Sequence, residues 1–135
     1  MSEIQSTFVM VKPDGVRRGL IGEVISRFEH KGFAIREMKH FTMGRDLAEE
    51  HYGEHRDKAF FRELVEFIIS GPVVAMRVEG VDAVAGARQI MGATNPIDAA
   101  PGSIRGDFAT LIGENIVHGS DSVESANREL KLFFG

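Results

Sequence analysis

The order in which strand-like and helix-like apolar patterns alternate along this chain leaves few folds open. Thr7-Phe8-Val9-Met10-Val11 is an unbroken apolar run that stops at Lys12-Pro13-Asp14-Gly15, the pattern of a buried strand running into a turn. Leu20, Ile21, Val24, Ile25 and Phe28 then recur at helical spacing, and Gly32 supplies the stop. Residues 33–41 read as a second, more polar strand. Two helices are expected within 46–69. The first is short and runs through Tyr52; the second carries a core-facing stripe of Phe60, Phe61, Leu64, Val65 and Ile68. After the break at Ser70-Gly71-Pro72, residues 73–78 are rich in β-branched side chains and read as a strand, and 81–91 read as a helix. Residues 92–113 hold Pro96, Pro101 and Gly102 and are expected to form a long ordered loop, a kind of segment that in so small a domain is usually functional or disordered. Ile116-Val117-His118 makes a short final strand, and Ser120 or Asp121 caps a last helix bearing Val123, Ala126, Leu130 and Phe133.

Strand, helix, strand, helices, strand, helix, strand, helix is close to two split β-α-β units with a terminal helix. The expected class is α+β, an α/β layer sandwich with a four-stranded antiparallel sheet. A doubly wound parallel sheet competes, but the strands are too few for a comfortable version of it. A chain of 135 residues fits a single domain, 1–135.

Composition narrows the function classes. With no cysteine, disulfides, thiolate catalysis and Cys-ligated zinc are excluded, so covalent chemistry falls to histidine, serine or carboxylates. A net charge of −4 gives no global attraction for nucleic acid. No apolar run reaches the roughly 18 residues of a membrane helix. Met1-Ser2-Glu3-Ile4-Gln5 lacks the basic and apolar regions of a leader, so a cytoplasmic protein is expected.

Neither a G-x-x-x-x-G-K-[ST] loop nor a G-x-G-x-x-G turn is present, so any phosphate must be held by another device. Thr94-Asn95-Pro96 and the segment Pro101-Gly102-Ser103-Ile104-Arg105-Gly106-Asp107-Phe108 combine a hydroxyl, a guanidinium and turn glycines. Arg105 has the geometry to grip a phosphate through two parallel hydrogen bonds. Lys12, Arg88 and Arg105 make a cationic site only if the fold gathers them. Otherwise each is a solvated surface charge.

Five histidines are present. His51 and His55 stand at i, i+4, but Gly53 interrupts them and no carboxylate motif accompanies them, so a polar helix end is expected rather than a metal site. His118 is different, because an apolar strand delivers it to Gly119-Ser120-Asp121, where small and acidic residues leave room around the ring. A neutral imidazole there is a nucleophile, and Glu129 on the following helix can return to orient it. A structural histidine at a strand end is the alternative.

Several separate blocks resemble the nucleoside diphosphate kinases, in order and at that family's spacing. They are Val11-Lys12-Pro13-Asp14-Gly15-Val16, Arg18-Gly19-Leu20-Ile21-Gly22, Ser70-Gly71-Pro72-Val73-Val74-Ala75-Met76, residues 92–107, and Asn115-Ile116-Val117-His118-Gly119-Ser120-Asp121. The resemblance implies a ferredoxin-like sandwich in which His118 takes the γ-phosphate of a nucleoside triphosphate and passes it to a nucleoside diphosphate, with ping-pong kinetics. It implies that Lys12, Arg88, Thr94, Arg105 and Asn115 contact phosphates and sugar, and that Tyr52, Ser120 and Glu129 serve the reacting histidine. Phe60 would pack on the base, with Leu64 and Ile112 lining its slot. Mg²⁺ would arrive on the nucleotide rather than in a protein cage. The family is oligomeric, and a hexamer is favoured over a tetramer. The chain ends at Gly135, directly after its last helix, where many relatives carry an extension, so the assembly is the part the resemblance leaves most open. Two rivals remain: a nucleotide-binding module that has lost catalysis, and an RNA-binding protein of ferredoxin-like fold. The second lacks that class's aromatic strand motif and basic balance.

Overall fold

The computed structural model describes residues 3–135; Met1 and Ser2, on which part of the N-terminal reading falls, lie outside the described residues. In chain order the elements are β1 (Ile4–Val11), α1 (Pro13–Arg17), α2 (Ile21–Lys31), β2 (Ala34–Phe41), α3 (Arg45–His51), α4 (Phe61–Ile68), β3 (Val73–Val81), α5 (Ala83–Met91), α6 (Ile104–Phe108), β4 (Val117–Gly119) and α7 (Val123–Phe134). The strands form one antiparallel sheet in the order β2-β3-β1-β4, the topology of a ferredoxin-like α+β sandwich.

β1 lies between β3 and β4 with helices packed on both sheet faces, which is why its sequence is an unbroken apolar run rather than an alternating one. Val9 and Val11 join Val74, Met76 and Val78 on the face covered by α2 and α5. Phe8 and Met10 join Val73 and Ala75 on the opposite face, under Ala48 of α3, Val65 and Ile68 of α4, and Leu130 and Phe133 of α7. β2 is one of the two edge strands, and its exposed Arg36, Glu37, Lys39 and His40 give it the polar character visible in the sequence. Gly32 caps α2 in the left-handed region, at φ 105°, where other residues are strained.

The structure corrects the sequence reading at several points. The expected turn after β1 is a short helix, α1, begun by Pro13 at its first position, where a missing N–H costs nothing. Val81 ends β3 instead of opening a helix, and Asp82 breaks the chain at φ 50° before α5. The 92–113 segment is not all loop: it contains a 3₁₀ turn, Pro96–Asp98, capped by the Asn95 side chain, and α6, capped by Ser103 Oγ. Ser122, rather than Ser120 or Asp121, caps α7 by accepting from the Ser125 N–H. The stripe on α4 divides: Val65 and Ile68 are buried, while Phe60 is 46% exposed. Val123 is likewise exposed rather than core.

Candidate active site

β4 places its central residue, His118, opposite Met10 of β1, so the imidazole rises from the sheet face that α7 covers. Glu129 comes down from α7 with its carboxylate buried. His118 Nε2 and Glu129 Oε2 are 2.8 Å apart, and Ser120 Oγ donates to Glu129 Oε1 at 2.5 Å. Burial alone would push Glu129 up. Hydrogen bonding from His118 and its charge, followed by Ser120 and His51, outweigh that and hold the carboxyl down to about 2. The carboxylate is therefore ionised at neutral pH and fixes a proton on Nε2 of His118. The other ring nitrogen, Nδ1, has no protein partner among the described residues, and the half-buried ring lines a cleft of about 1020 Å³.

The turn that feeds β4 is strained. Ile116 has φ 77°, a value a β-branched residue almost never takes, and Val117 N donates to Asn115 O at 2.9 Å across it in a three-residue γ-turn. Distant groups hold the strain in place. Asp14 Oδ2 accepts from Ile116 N at 2.9 Å, and Ile116 O accepts from Lys12 N at 2.8 Å. Such a conformation costs on the order of 1–3 kcal/mol and persists only where the surroundings over-determine it. Here it sets His118 two residues later.

All the expected cations converge on this cleft. Lys12 Nζ donates to Asn115 Oδ1 at 2.5 Å, Asn115 Nδ2 donates to Thr94 O at 2.8 Å, and Arg88 reaches Gly119 O at 3.5 Å. Burial, with Arg105 nearby, pushes Lys12 down to about 8 despite the opposing pull of Asp14. Burial and then Arg88 push Arg105 down to about 10. Cations that depress one another in a cleft form a site whose energy falls when an anion enters.

Arg105 is not the free fork expected from the sequence. Its guanidinium is buried and donates to three backbone carbonyls, Gly92 O at 2.8 Å, Val117 O at 2.7 Å and Asn115 O at 3.3 Å. Two of its N–H groups are left for a ligand.

Phe60, Leu64 and Ile112 bring apolar surface to the same cleft, joined by Phe67 and Leu111. Tyr52 also lines it, its hydroxyl pushed up to about 12 by burial and then by Glu129. Every site residue expected from the sequence therefore lies on one cleft.

Two contributors were not foreseen. Asp14 acts on a residue 102 positions away, for which no local pattern exists. His51 is no polar helix end: its ring is buried beside His118 and Glu129. The clue was available, since Ala48 and His51 stand at i, i+3 on one helix face. His51, His118 and Glu129 offer ligand atoms within 4.8 Å of one another. However, the 2.8 Å between Nε2 and Oε2 suits a shared proton, whereas two ligands of a tetrahedral zinc stand about 3.3 Å apart.

Fold and cleft together define an α+β protein whose cleft gathers Lys12, Arg88 and Arg105 around a carboxylate-backed histidine, the equipment of a phosphotransferase. A family model described as nucleoside diphosphate kinase matches residues 5–135. The chain is 60% identical over 132 residues to a nucleoside diphosphate kinase of Deinococcus radiodurans, covering 98% of this chain and 96% of that one. It is 62% identical over 132 residues to that of Rubrobacter xylanophilus, at 98% and 99% coverage. A solved structure of the Halobacterium salinarum nucleoside diphosphate kinase in complex with CDP is similar, with a TM-score of 0.94, 53% identity, and coverage of 98% of this chain and 88% of that one. The chain belongs to the nucleoside diphosphate kinase family.

Proposed function

We propose that this chain is a phosphotransferase that moves the γ-phosphate of a nucleoside triphosphate onto a nucleoside diphosphate by way of a phosphohistidine on His118. One observation carries the reading: Glu129 occupies Nε2, so the lone pair of Nδ1 is the one presented to a cleft that also holds Lys12, Arg88 and Arg105. In the first half-reaction Nδ1 attacks the γ-phosphorus, and the bond to the β–γ bridging oxygen breaks with its electron pair on the departing diphosphate. In the second, a terminal oxygen of the acceptor diphosphate attacks the same phosphorus, and the N–P bond returns its pair to Nδ1. The Nε2 proton stays against Glu129 throughout. One site serving both half-reactions gives ping-pong kinetics.

Lys12, Arg88, Arg105, Thr94 and Asn115 hold the phosphates and sugar, and the positive groups offset charge on the transferring phosphoryl. Tyr52 and Ser120 support the histidine and its carboxylate. Phe60 stacks on the base, with Leu64 and Ile112 beside it. A clamp that reads only the flat face of a base accepts purines and pyrimidines alike, which supports broad nucleotide specificity. Mg²⁺ enters as part of the nucleotide substrate and neutralises phosphate charge.

The 135 residues act as one catalytic domain. Exposed Met38 on β2 and Ile97 in the 92–113 segment offer apolar surface to further copies, in line with a homo-oligomer for which a hexamer is favoured over a tetramer. A cytoplasmic location is part of this reading, supported by the nucleotide pool on which the proposed reaction draws. No nucleic-acid partner is assigned, and no helix among the described residues is long and apolar enough to cross a membrane.

Incubation with γ-labelled ATP tests the reading. The wild type should acquire an acid-labile, alkali-stable label that GDP or CDP discharges, and His118→Ala should acquire none. A wild type that binds nucleotide without taking label would instead be a binding module.

A further inference from the structure

His51 has no part in the reaction as derived, yet it stands against both groups that run it. Its ring, 2% exposed, is packed edge-on to His118 with centroids 4.8 Å apart at 78°, and is flanked by Phe8, Phe133 and Tyr52. Both of its nitrogens are buried without a hydrogen-bond partner among the described residues. Orphaned polar atoms of this kind are rare because each forfeits its hydration, so one beside a reacting pair points to a role there. Nδ1 lies 3.6 Å from Glu129 Oε2, the same oxygen that His118 Nε2 approaches to 2.8 Å. The other titratable or charged groups near the trio are Arg128, whose guanidinium is 3.9 Å from that oxygen, together with Tyr52 and His55. Burial, and after it the charge of His118, pushes His51 down to about 3. The ring is neutral at any working pH and so carries one N–H.

We propose that His51 is a positioning residue: with its proton on Nδ1 it braces the Glu129 carboxylate from behind and holds Oε2 against His118 Nε2 while Nδ1 of His118 takes the phosphoryl group. The inference rests on the reading of His118 as the phosphate carrier. At 3.6 Å the contact is too long for a hydrogen bond in the resting enzyme, and about half an ångström of closure makes it one. Attack by His118 puts positive charge on its ring and draws Oε2 toward Nε2. An N–H that tightens on the same oxygen stabilises that arrangement more than the resting one, so it acts on kcat and not on substrate binding. Being neutral, His51 supports the carboxylate without competing for its charge.

Two substitutions separate the N–H from the ring that carries it. His51→Phe keeps an aromatic ring of similar size, and His51→Gln keeps a donor. In the purified, assembled enzyme, with the folded fraction checked by thermal melting, His51→Phe should slow phosphorylation by roughly ten- to a hundredfold with nucleotide KM near wild type. The acid limb of its kcat should move to higher pH, because in the bound, tightened state the carboxylate loses a donor and titrates higher. His51→Gln should recover most of the rate. Nitrogen-15 spectra of the wild type need no variant and should place the His51 proton on Nδ1, with a shift on phosphorylation. Wild-type rates and pH profile in both variants, losses that only track the unfolded fraction, or a His51 proton on Nε2 would each overturn the proposal. A wild type that takes no label would sink the reading of His118 instead.

Discussion

His118 Nε2 and Glu129 Oε2 stand 2.8 Å apart between β4 and α7, and Ser120 Oγ closes on the second carboxylate oxygen at 2.5 Å. Glu129→Gln keeps the shape of this pair and removes its charge. Rapid-quench measurement of the phosphorylation step should show a loss of roughly a hundredfold with KM little changed. Ser120→Ala, which leaves the carboxylate its bond to His118, should cost about tenfold or less. The pair also links stability to pH. Glu129 is depressed from 4.5 to about 2, so its contribution is complete above pH 4.5 and disappears as pH falls through 2. Melting curves should therefore show Glu129→Gln destabilised relative to wild type at pH 7 and converging with it near pH 2.

Lys12 should make diphosphate binding depend on alkaline pH. With its ammonium pushed down to about 8, part of the population is neutral at pH 8.5, while a bound anion favours the charged form. Calorimetry in buffers of different ionisation enthalpy should detect proton uptake on ADP binding at pH 8.5 and little at pH 6.5. Affinity should fall as pH rises through 8, and Lys12→Gln should bind weakly with neither dependence.

Arg105 should prove structural as well as ligand-binding. Arg105→Ala strands the carbonyls of Gly92, Asn115 and Val117, at roughly 1–3 kcal/mol for each one left dry. A marked fall in melting temperature without ligand is expected together with lost activity. Among the described residues the Arg88 side chain makes one long hydrogen bond, to Gly119 O, and a charge interaction with Asp121, so Arg88→Ala should lose nucleotide affinity with little change in stability. Equal stability losses in the two variants would contradict this division.

Phe60→Ala should weaken binding of every nucleotide by a similar amount, about 1–3 kcal/mol, since stacking uses the face common to all bases. Competitive titration with ADP, GDP and CDP measures it. A loss confined to one base would mean that the cleft reads a base edge.

Much of the fold was legible because local patterns carried it. The apolar run of β1, the 3.6-residue period of α2 closed by Gly32, and the polar outer strand β2 all match the structure. The misreadings lie where a short segment depends on distant partners. α6, five residues long, has too few turns to show a period and lies in a segment whose prolines and glycines read as loop. His118, Glu129, Lys12, Arg88, Thr94 and Arg105 stand out in the sequence by residue type and setting, and the resemblance of the motifs adds Tyr52, Phe60, Leu64, Ile112, Asn115 and Ser120; no local pattern brings them together.

From the sequence alone came the α+β order of elements, a histidine delivered to a strand end, and the absence of any thiol to take its place. Tertiary structure alone decided that Lys12, Arg88 and Arg105 share one cleft, that Glu129 claims Nε2 and leaves Nδ1 free, and that His51 is buried behind them. Helix and strand periods are set by neighbours a few residues away and can be read along the chain. Which nitrogen of an imidazole is occupied depends on groups brought close only when the sheet pairs and α7 packs across it.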